Sequence, residues 1–364
     1  MALAAAGCLP ALGGDWPLFR GDTRSTGVSA EKLPAQPVPL WSFATEEEGF
    51  ESTATVAGST VYAGSLDGKL YALALSDGKL RWTYAAGAAI KSAPSVRDGS
   101  VYFGDEAGVF HAVDAARGSG RWRFETGGEV VSSANFAGPC VVFGSNDESL
   151  YCLAPADGKL RWKVETEGFV YGMPAVAGEQ VISAGCDGVL RTVRAGDGAV
   201  IRKSPIGAYV GASPALHGTH AYFGTFDNSV LAVDLASGKI AWTYRHPERQ
   251  FPFLSSAAVD GRLVVLGGRD KTVVALEIAS GAVAWSYAAG ARVDSSPVIA
   301  DGRVWVGVTS GEIVGLALES GEPRWRFDTG SPVVASPSVA AGRLVVGTVD
   351  GRLHCFGAQE RREE

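Results

Sequence analysis

The sequence of 364 residues has few cysteines, no long apolar run and no excess of positive charge. Five cysteines are too few to scaffold a chain of this length with disulfides. No stretch of 18 or more apolar residues occurs, so we expect no transmembrane helix. The formal net charge of −7 argues against nucleic-acid binding, which requires a basic surface.

Glycine, in contrast, is abundant, with 48 residues, about twice the usual share of roughly 7%. The glycines follow no Gly-X-Y period, which excludes collagen, and a hydrophobic fraction of 46% excludes a disordered chain. Many glycines among many β-forming residues predict short strands joined by tight turns.

The chain repeats with a period of about forty residues. Tryptophans mark the period, and a glycine lies four residues before each internal member of the series. The tryptophans are Trp41, Trp82, Trp122, Trp162, Trp242, Trp285 and Trp325. The missing member falls at Arg202, and the unit that ends at Trp285 is 43 residues long.

Each unit reads as four short strands, which is the pattern of a propeller blade. A single blade has two apolar faces that it cannot cover, so blades must stack into a ring. Eight first strands are predicted, near Ser52, Ser92, Ser132, Gly172, Ala212, Ser255, Ser295 and Ala335.

The two ends of the repeat complete one another. The last unit stops near Phe356 without a fourth strand, whereas residues 40–43 read as a fourth strand with no unit before it. The sequence therefore predicts an all-β, eight-bladed β-propeller of four-stranded antiparallel blades, closed by an N-terminal outer strand that joins the last blade. We expect the propeller to span residues 38–357, after an N-terminal extension (15–37) that runs over the ring surface and before a charged tail (358–364).

The segment from Ala232 to Trp242 resembles the tryptophan-docking motif of the pyrroloquinoline-quinone-type repeat, and the segments that end at Trp82 and Trp122 are similar. The resemblance implies the eight-bladed propeller of the quinoprotein alcohol dehydrogenase-like superfamily. In that family each tryptophan packs between neighbouring blades, and we expect this role for all seven tryptophans. Arg202 departs from the motif, which predicts a blade interface that is looser or adapted for contact.

The same resemblance raises the hypothesis of a quinone-dependent dehydrogenase. Such enzymes hold a quinone and a calcium ion on the ring axis, opposite a disulfide between adjacent cysteines. This chain has neither adjacent cysteines nor long insertions, and Trp305 falls at a core position of a second strand. We therefore expect no catalytic residue, no cofactor and no metal site. His217 and His220 have a metal-ligand spacing, which is informative only with suitable geometry and a third ligand.

Positions that vary among the units are free to bind a ligand or partner. The residue before each first-strand small residue varies, and we expect this column to ring one mouth of the axial channel. Its polar members, the binding candidates, are Glu51, Lys91, Tyr171 and Asp294. The alternative is a solvated rim without a ligand.

The 43-residue unit lengthens one loop with aromatic and basic residues, which are typical partner anchors. The contact candidates are His246, Arg249, Phe251 and Phe253. The alternative is a plain loop insertion.

One cysteine, Cys8, bears on export, and two others lie across a predicted hairpin. Ala5-Ala6-Gly7-Cys8 resembles the cleavage box of bacterial lipoproteins, so residues 1–14 are interpreted as a leader or a truncated lipoprotein signal with Cys8 as the lipidated residue. The start lacks the basic and apolar regions of a signal peptide, so a plain cytoplasmic N-terminus stays open. Cys140 and Cys152 lie across a predicted hairpin, either as a disulfide or as small buried side chains.

Length, blade number and the lipoprotein-like N-terminus resemble outer-membrane assembly lipoproteins of the BamB type. The resemblance implies a non-enzymatic, exported, monomeric scaffold that binds protein partners in the bacterial cell envelope, either periplasmic or anchored to the outer membrane. The alternatives are a ligand-binding or sensor propeller and, third, a pyrroloquinoline-quinone-dependent dehydrogenase.

Overall fold

The computed structural model describes residues 14–46 and 49–359, which form an all-β structure. No helix that could cross a bilayer is found in this part of the chain. Cys8, nearly all of the predicted leader and the tail beyond residue 359 lie outside the described residues.

The described residues form 33 strands. In chain order they are β1 (Val28–Ser29), β2 (Val38–Ala44), β3 (Thr55–Ala57), β4 (Thr60–Gly64), β5 (Lys69–Ala74), β6 (Leu80–Ala85), β7 (Ser95–Arg97), β8 (Ser100–Gly104), β9 (Val109–Asp114), β10 (Gly120–Glu125), β11 (Asn135–Ala137), β12 (Cys140–Ser145), β13 (Ser149–Leu153), β14 (Leu160–Glu165), β15 (Ala175–Ala177), β16 (Gln180–Ala184), β17 (Val189–Arg194), β18 (Val200–Pro205), β19 (Ala215–His217), β20 (His220–Gly224), β21 (Ser229–Asp234), β22 (Ile240–Arg245), β23 (Ala258–Val259), β24 (Leu263–Gly267), β25 (Thr272–Glu277), β26 (Val283–Ala288), β27 (Val298–Ala300), β28 (Arg303–Gly307), β29 (Glu312–Ala317), β30 (Pro323–Asp328), β31 (Ser338–Ala340), β32 (Arg343–Gly347) and β33 (Arg352–Gly357).

These strands form eight antiparallel sheets, the blades of a propeller, which confirms the predicted fold. Blades 1 to 7 are β3–β6, β7–β10, β11–β14, β15–β18, β19–β22, β23–β26 and β27–β30, and blade 8 is β31–β33 with β2. The second and third strands of each blade are almost completely buried, whereas the fourth strands alternate between exposed and partly buried residues. The core therefore lies between the faces of neighbouring blades.

The ring closes as the sequence predicts, because β2 pairs antiparallel with β33 and places Trp41 opposite Cys355. One feature differs from the prediction of four strands in every blade. The short strand β1 pairs in parallel with β27 and gives blade 7 a fifth strand.

The inner strands begin about three residues after the small residues that mark them in the sequence. The strands near Ser52 and Ser92 begin at Thr55 and Ser95. The two serines instead donate side-chain hydrogen bonds to the carbonyls of Gly64 and Gly104, at 2.9 and 2.8 Å. Side-chain hydrogen bonds thus replace the backbone ladder where the chain approaches the axis.

All seven repeat tryptophans dock onto the next blade. Each indole N–H donates to a backbone carbonyl there, at 2.8–3.2 Å, and the acceptors are Leu75, Ala115, Pro155, Ala195, Ile278, Leu318 and Pro37. Six of these indoles also pack on the turn glycine of that blade, namely those of Trp41, Trp82, Trp122, Trp162, Trp242 and Trp285. A Cβ on Gly118 would lie 2.6 Å from the ring of Trp82, and its φ of +70° also favours glycine.

Arg202 replaces the tryptophan between blades 4 and 5 without opening the interface. Its guanidinium donates to the carbonyls of Ala236 and Ser237, at 2.7 and 3.1 Å. Its stem packs on the turn glycine, where a Cβ on Gly238 would lie 2.8 Å from Cδ. The arginine therefore makes the same kind of contact as a docking tryptophan.

A disulfide joins Cys140 and Cys152 in blade 3, with a Cα–Cα distance of 5.4 Å. Of the two alternatives left open by the sequence, the disulfide is the one that the structure contains. Cys355 is a free, buried thiol, and its burial raises its pKa to about 12. Trp305 lies fully buried in the core, as expected.

We predict that Trp41→Ala destabilises the whole ring. The change removes the indole from Gly78 and the hydrogen bond to Leu75, in the strand that closes blade 8. Since Trp41 is only partly buried, we expect a loss of about 3 kcal/mol, the low end of the range for truncated tryptophans. Denaturant unfolding of the variant and the parent measures it.

Two truncations test the same closure. Deletion of residues 1–45 removes β2 and should prevent folding or cause association, because β33 becomes an unpaired edge. Deletion of residues 1–14 removes none of the described strands and should leave the melting temperature nearly unchanged. Equal melting of the two truncations, both as monomers, would show that β2 does not close the ring.

We predict that Arg202→Ala lowers the free energy of unfolding by about 1 kcal/mol, because two carbonyls of blade 5 lose their donors. Arg202→Trp should keep the free energy of unfolding close to that of the parent, because the indole recreates the docking contact of the other blades. Arg194→Ala is the matched control, since its ion pair with Asp197 is exposed and worth little. Equal effects of the two alanine variants in denaturant unfolding would contradict the docking role.

Candidate functional site

The N-terminal extension runs around one end of the ring, and we call residues 15–29 the strap. Inner-strand N–H groups donate to strap carbonyls in blade order, from Val96 to Pro17, Val176 to Thr23, Leu216 to Arg24, Val259 to Thr26 and Ile299 to Gly27. Trp16 bonds to Val56 of blade 1, the Asn135 amide of blade 3 donates to Thr23, and the Ser29 hydroxyl donates to Val339 of blade 8. The strap thus contacts all eight blades.

The strap is also anchored by buried side chains, which the sequence does not predict. Trp16 and Leu18 are buried, and Arg20 is completely buried. Its guanidinium donates to the carbonyls of Ser296, Ala257 and Pro297 in blades 6 and 7. Burial lowers the pKa of Arg20 to about 9, with Asp22 acting in the opposite direction.

A cavity of about 190 Å³ lies on the ring axis, and we call it the axial cup. All eight residues of the column that the sequence places at a channel mouth line it, and we call them the mouth residues: Glu51, Lys91, Val131, Tyr171, Gly211, Leu254, Asp294 and Val334. Phe19 of the strap also lines the cup. The strap forms hydrogen bonds with inner-strand residues that lie five positions after the mouth residues, as Val56 lies five positions after Glu51. The strap therefore closes the end of the ring axis that is opposite the mouth.

Serine side chains below the mouth join neighbouring blades around the axis. Backbone N–H groups of one blade donate to serine hydroxyls of the next, from Ala93 to Ser133, Met173 to Ser213, Ser213 to Ser256, Ser256 to Ser296 and Ser296 to Ser336, at 2.8–2.9 Å. These hydroxyls hold the ring together. The mouth residues are therefore the polar groups best placed to meet a ligand.

Charges at the mouth are partly paired. Lys91 contacts Glu106 at 2.6 Å, and Asp294 receives two hydrogen bonds from Arg269, at 2.8 and 3.4 Å. Glu51 takes part in none of the ion pairs among residues 14–46 and 49–359. The mouth therefore has one unpaired carboxylate beside two neutralised pairs.

Aromatic side chains are exposed on the same face as the mouth, on blades 4 to 6. The exposed fractions are 42% for Phe169, 59% for Tyr209, 38% for Phe226 and 49% for Phe251. Phe169 packs edge-on against Tyr171 with ring centroids 5.8 Å apart, and a Cβ on Gly211 would lie 3.0 Å from the Phe226 ring. These five aromatic residues form a surface that we call the aromatic sector.

Sequence reasoning missed Phe169, Tyr209 and Phe226. A signal was present, because Phe169 and Tyr209 directly precede Val170 and Val210. These two valines belong to a second repeated column, the apolar column, which lies one residue before each mouth residue and is apolar in every unit. The residue of blade 3 that corresponds to Phe169 and Tyr209 is Glu129, so this position is acidic in blade 3 and aromatic in blades 4 and 5.

The lengthened loop before blade 6 has a defined shape. The His246 ring accepts hydrogen bonds from the backbone N–H groups of Glu248 and Arg249, and Arg249 donates to the Asp270 carbonyl at 3.0 Å. Phe251 and Arg249 are exposed. Phe253 is only 2% exposed, so its prediction as a partner contact is wrong. It occupies the apolar column and packs against Gly224.

His217 and His220 face each other across a hairpin turn and line a second cavity, of about 360 Å³, between blades 5 and 6. Within the described part of the chain, no three His, Cys, Asp or Glu side chains are arranged to hold a metal ion. The third ligand that the spacing requires is therefore not in place.

The axial cup does not fit the quinone of the superfamily's dehydrogenases. A flat tricyclic quinone with three carboxylates requires a broad slot and several cations. The cup is small, and its lining includes two carboxylates and a single ammonium group, which is already paired with Glu106. No calcium-binding group of acidic side chains adjoins it among the described residues.

Comparisons with solved structures agree with the fold. The chain is similar to BamB from Moraxella catarrhalis, with a TM-score of 0.76 and 18% identity over 88% of this chain and 100% of that one. It is also similar to the quinohemoprotein alcohol dehydrogenase from Comamonas testosteroni, with a TM-score of 0.84 and 14% identity over 97% and 82%. A europium-containing methanol dehydrogenase matches with a TM-score of 0.81 and 12% identity over 95% and 98%.

No curated protein matches the sequence. A family model described as outer membrane protein assembly factor BamB matches residues 37–137, 108–250, 195–296 and 289–363. The matches overlap and cover the whole propeller. The chain therefore belongs to the BamB family of eight-bladed propellers built from pyrroloquinoline-quinone-type repeats.

Proposed function

We propose that this protein is a non-enzymatic scaffold that binds protein partners in the bacterial cell envelope, in the manner of BamB-type assembly factors. The observation that carries the proposal is the aromatic sector, an exposed group of aromatic side chains on the face that the strap leaves open. Exposed aromatic clusters beside arginine are typical of partner-binding surfaces, in which a few such residues supply most of the binding energy.

The surface is suited to binding because it is preformed. Backbone hydrogen bonds fix the aromatic sector to the ring, from Phe226 to the Tyr209 carbonyl and from Cys186 to the Phe169 carbonyl, both at 2.9 Å. The hydrogen bonds of His246 and Arg249 fix the loop that presents Phe251. A partner therefore meets side chains on a rigid backbone, which reduces the entropy cost of binding.

Two observations support an envelope location. The family description is that of an outer-membrane assembly factor. The disulfide between Cys140 and Cys152 is typical of proteins that fold in an oxidising compartment such as the periplasm. Lipidation of Cys8 would then anchor the ring to a membrane, with protein partners brought to the open face.

We predict that the variant with both Arg249→Ala and Phe251→Ala captures its envelope partner poorly, because it loses an exposed cation and an exposed ring from the same loop. Capture is measured by affinity purification of the tagged full chain from the native envelope. The melting temperature should stay nearly unchanged, since both side chains are exposed.

The control carries Leu80→Ala and Arg117→Ala, which also removes an exposed apolar and an exposed basic side chain. Both lie on other parts of the ring, at an outer strand and at a turn on the strap side. Equal capture by the two double variants would argue against this loop as a contact.

We also predict that the protein supplied with pyrroloquinoline quinone and calcium oxidises neither alcohols nor sugars. The reason is the poor fit of the axial cup, whose mouth offers carboxylates where the quinone needs cations. Dye reduction coupled to substrate oxidation measures this activity. A rate clearly above that of a sample without quinone would overturn the prediction.

A further inference from the structure

The open face of the ring is divided into sectors of different chemistry. An acidic sector on blades 1 to 3 contains Glu51, Glu106 and Glu129, and the aromatic sector follows on blades 4 to 6. The two sectors meet at the axial cup, where Glu51 and Tyr171 are both mouth residues.

The acidic sector has more carboxylates than cations. Its Glu106 carboxylate accepts a hydrogen bond from Lys91 and raises the pKa of that ammonium group, although partial burial acts in the opposite direction. Glu51 and Glu129 raise the pKa of Lys91 further, so three carboxylates surround one cation. Among the residues that the structure describes, Glu51 and Glu129 form no ion pair, and Glu51 lines the cup, while Glu129 accepts a hydrogen bond from the Asn146 amide.

The aromatic sector of blades 4 to 6 adjoins the acidic sector of blades 1 to 3. Burial raises the pKa of the Tyr171 hydroxyl, and Cys186 and Glu129 raise it further, so the negative charge of Glu129 acts on both Lys91 and Tyr171. A cation placed in the cup would meet carboxylates on one side and the Tyr171 ring on the other. Carboxylates and an aromatic face together are the usual surroundings of a bound ammonium or guanidinium group.

The cup is also of the right size for one side chain. Its volume of about 190 Å³ is below the usual 300–1,000 Å³ of small-molecule sites. The strap closes its lower end with Phe19, so a bound group enters only from the open face. A lysine or arginine side chain reaches such a depth with an apolar stem and a charged end.

From this charge complementarity we infer that the open face binds an extended segment of a protein partner, with one lysine or arginine side chain in the axial cup and the neighbouring apolar residues on the aromatic sector. The inference rests on the proposed function, which it deepens by defining the chemistry of the partner. The cation contacts Glu51 and Tyr171, which line the cup, while Glu129 adds negative charge on the surrounding face. The apolar residues contact Phe226, Tyr209 and Phe251.

The test uses the purified full chain and synthetic peptides, so it does not depend on the capture of an envelope partner. The probe is a short, fluorescein-labelled peptide of serine, leucine and phenylalanine with one central lysine. Companion peptides replace the lysine with norleucine, which keeps the stem and removes the charge, or with glutamate. Fluorescence anisotropy measures each dissociation constant.

We expect the lysine peptide to bind at least about tenfold more tightly than the norleucine peptide, a difference of about 1.4 kcal/mol. The glutamate peptide should bind more weakly still. The preference should disappear at about 1 M salt, where the Debye length is about 3 Å. Equal binding of the lysine and norleucine peptides, or no binding of any peptide, would overturn the inference.

Variants locate the binding to the cup. The double variant Glu51→Gln and Glu129→Gln should bind the lysine peptide no better than the norleucine peptide, whereas Tyr209→Ser should weaken both peptides alike. Glu179→Gln is the control, since Glu179 is an exposed carboxylate on a turn at the strap side of blade 4. An unchanged lysine preference in the double variant would overturn the inference, and circular-dichroism melting confirms that each variant is folded.

The two proposals fail in different ways. Intact capture of an envelope partner without any lysine preference would overturn the inference about the cup and leave the scaffold function standing. A lysine preference in a protein that captures no partner would support the inference and contradict the scaffold function.

Discussion

The contact between an indole and a glycine of the next blade is the interaction on which the ring depends. Each docking tryptophan joins one blade to the next by a hydrogen bond, and six of the seven also pack on a glycine with no room for a side chain, as Trp82 does on Gly118. A ring has no free end, so every interface must form, including the one that Arg202 makes in a different way. At the closing blade, the N-terminal strand brings Trp41 into the same contact. Seven repeated contacts and one substitute thus turn a repeating sequence into a closed and rigid platform.

Closure also makes the two faces of the ring different. The strap follows the inner strands around one end of the axis, and the buried Arg20 anchors it to blades 6 and 7. Phe19 closes the axial channel from that side and converts it into a cup. Binding chemistry is therefore expected on the opposite face, where charged mouth residues and exposed aromatic side chains lie together. The strap that follows the inner strands thus leaves only the opposite face of the ring open.

Much of this architecture could be predicted from the sequence because a repeat displays its fold several times. Blade number, the closing strand and the ring of mouth residues follow from comparing equivalent positions, and the structure places all eight mouth residues around one cavity. Features that occur only once in the chain are harder to predict. The burial of Arg20 depends on contacts with residues more than 230 positions away, which no local pattern encodes. The sequence predicts Phe253 as a surface contact because it ends an irregular loop, but its position in the apolar column indicates the core, where the structure places it.

The central claim is that partners bind at the open face. Photo-cross-linking from both faces of the ring tests this claim most directly. A photoreactive phenylalanine analogue is placed at Tyr209 or Phe226 on the open face, and at Ser237 or Lys239 on the strap side, and envelopes of living cells are irradiated. We expect the two open-face positions to cross-link to the same protein, while the strap-side positions give no such product. Equal or stronger cross-linking from the strap side would contradict the account.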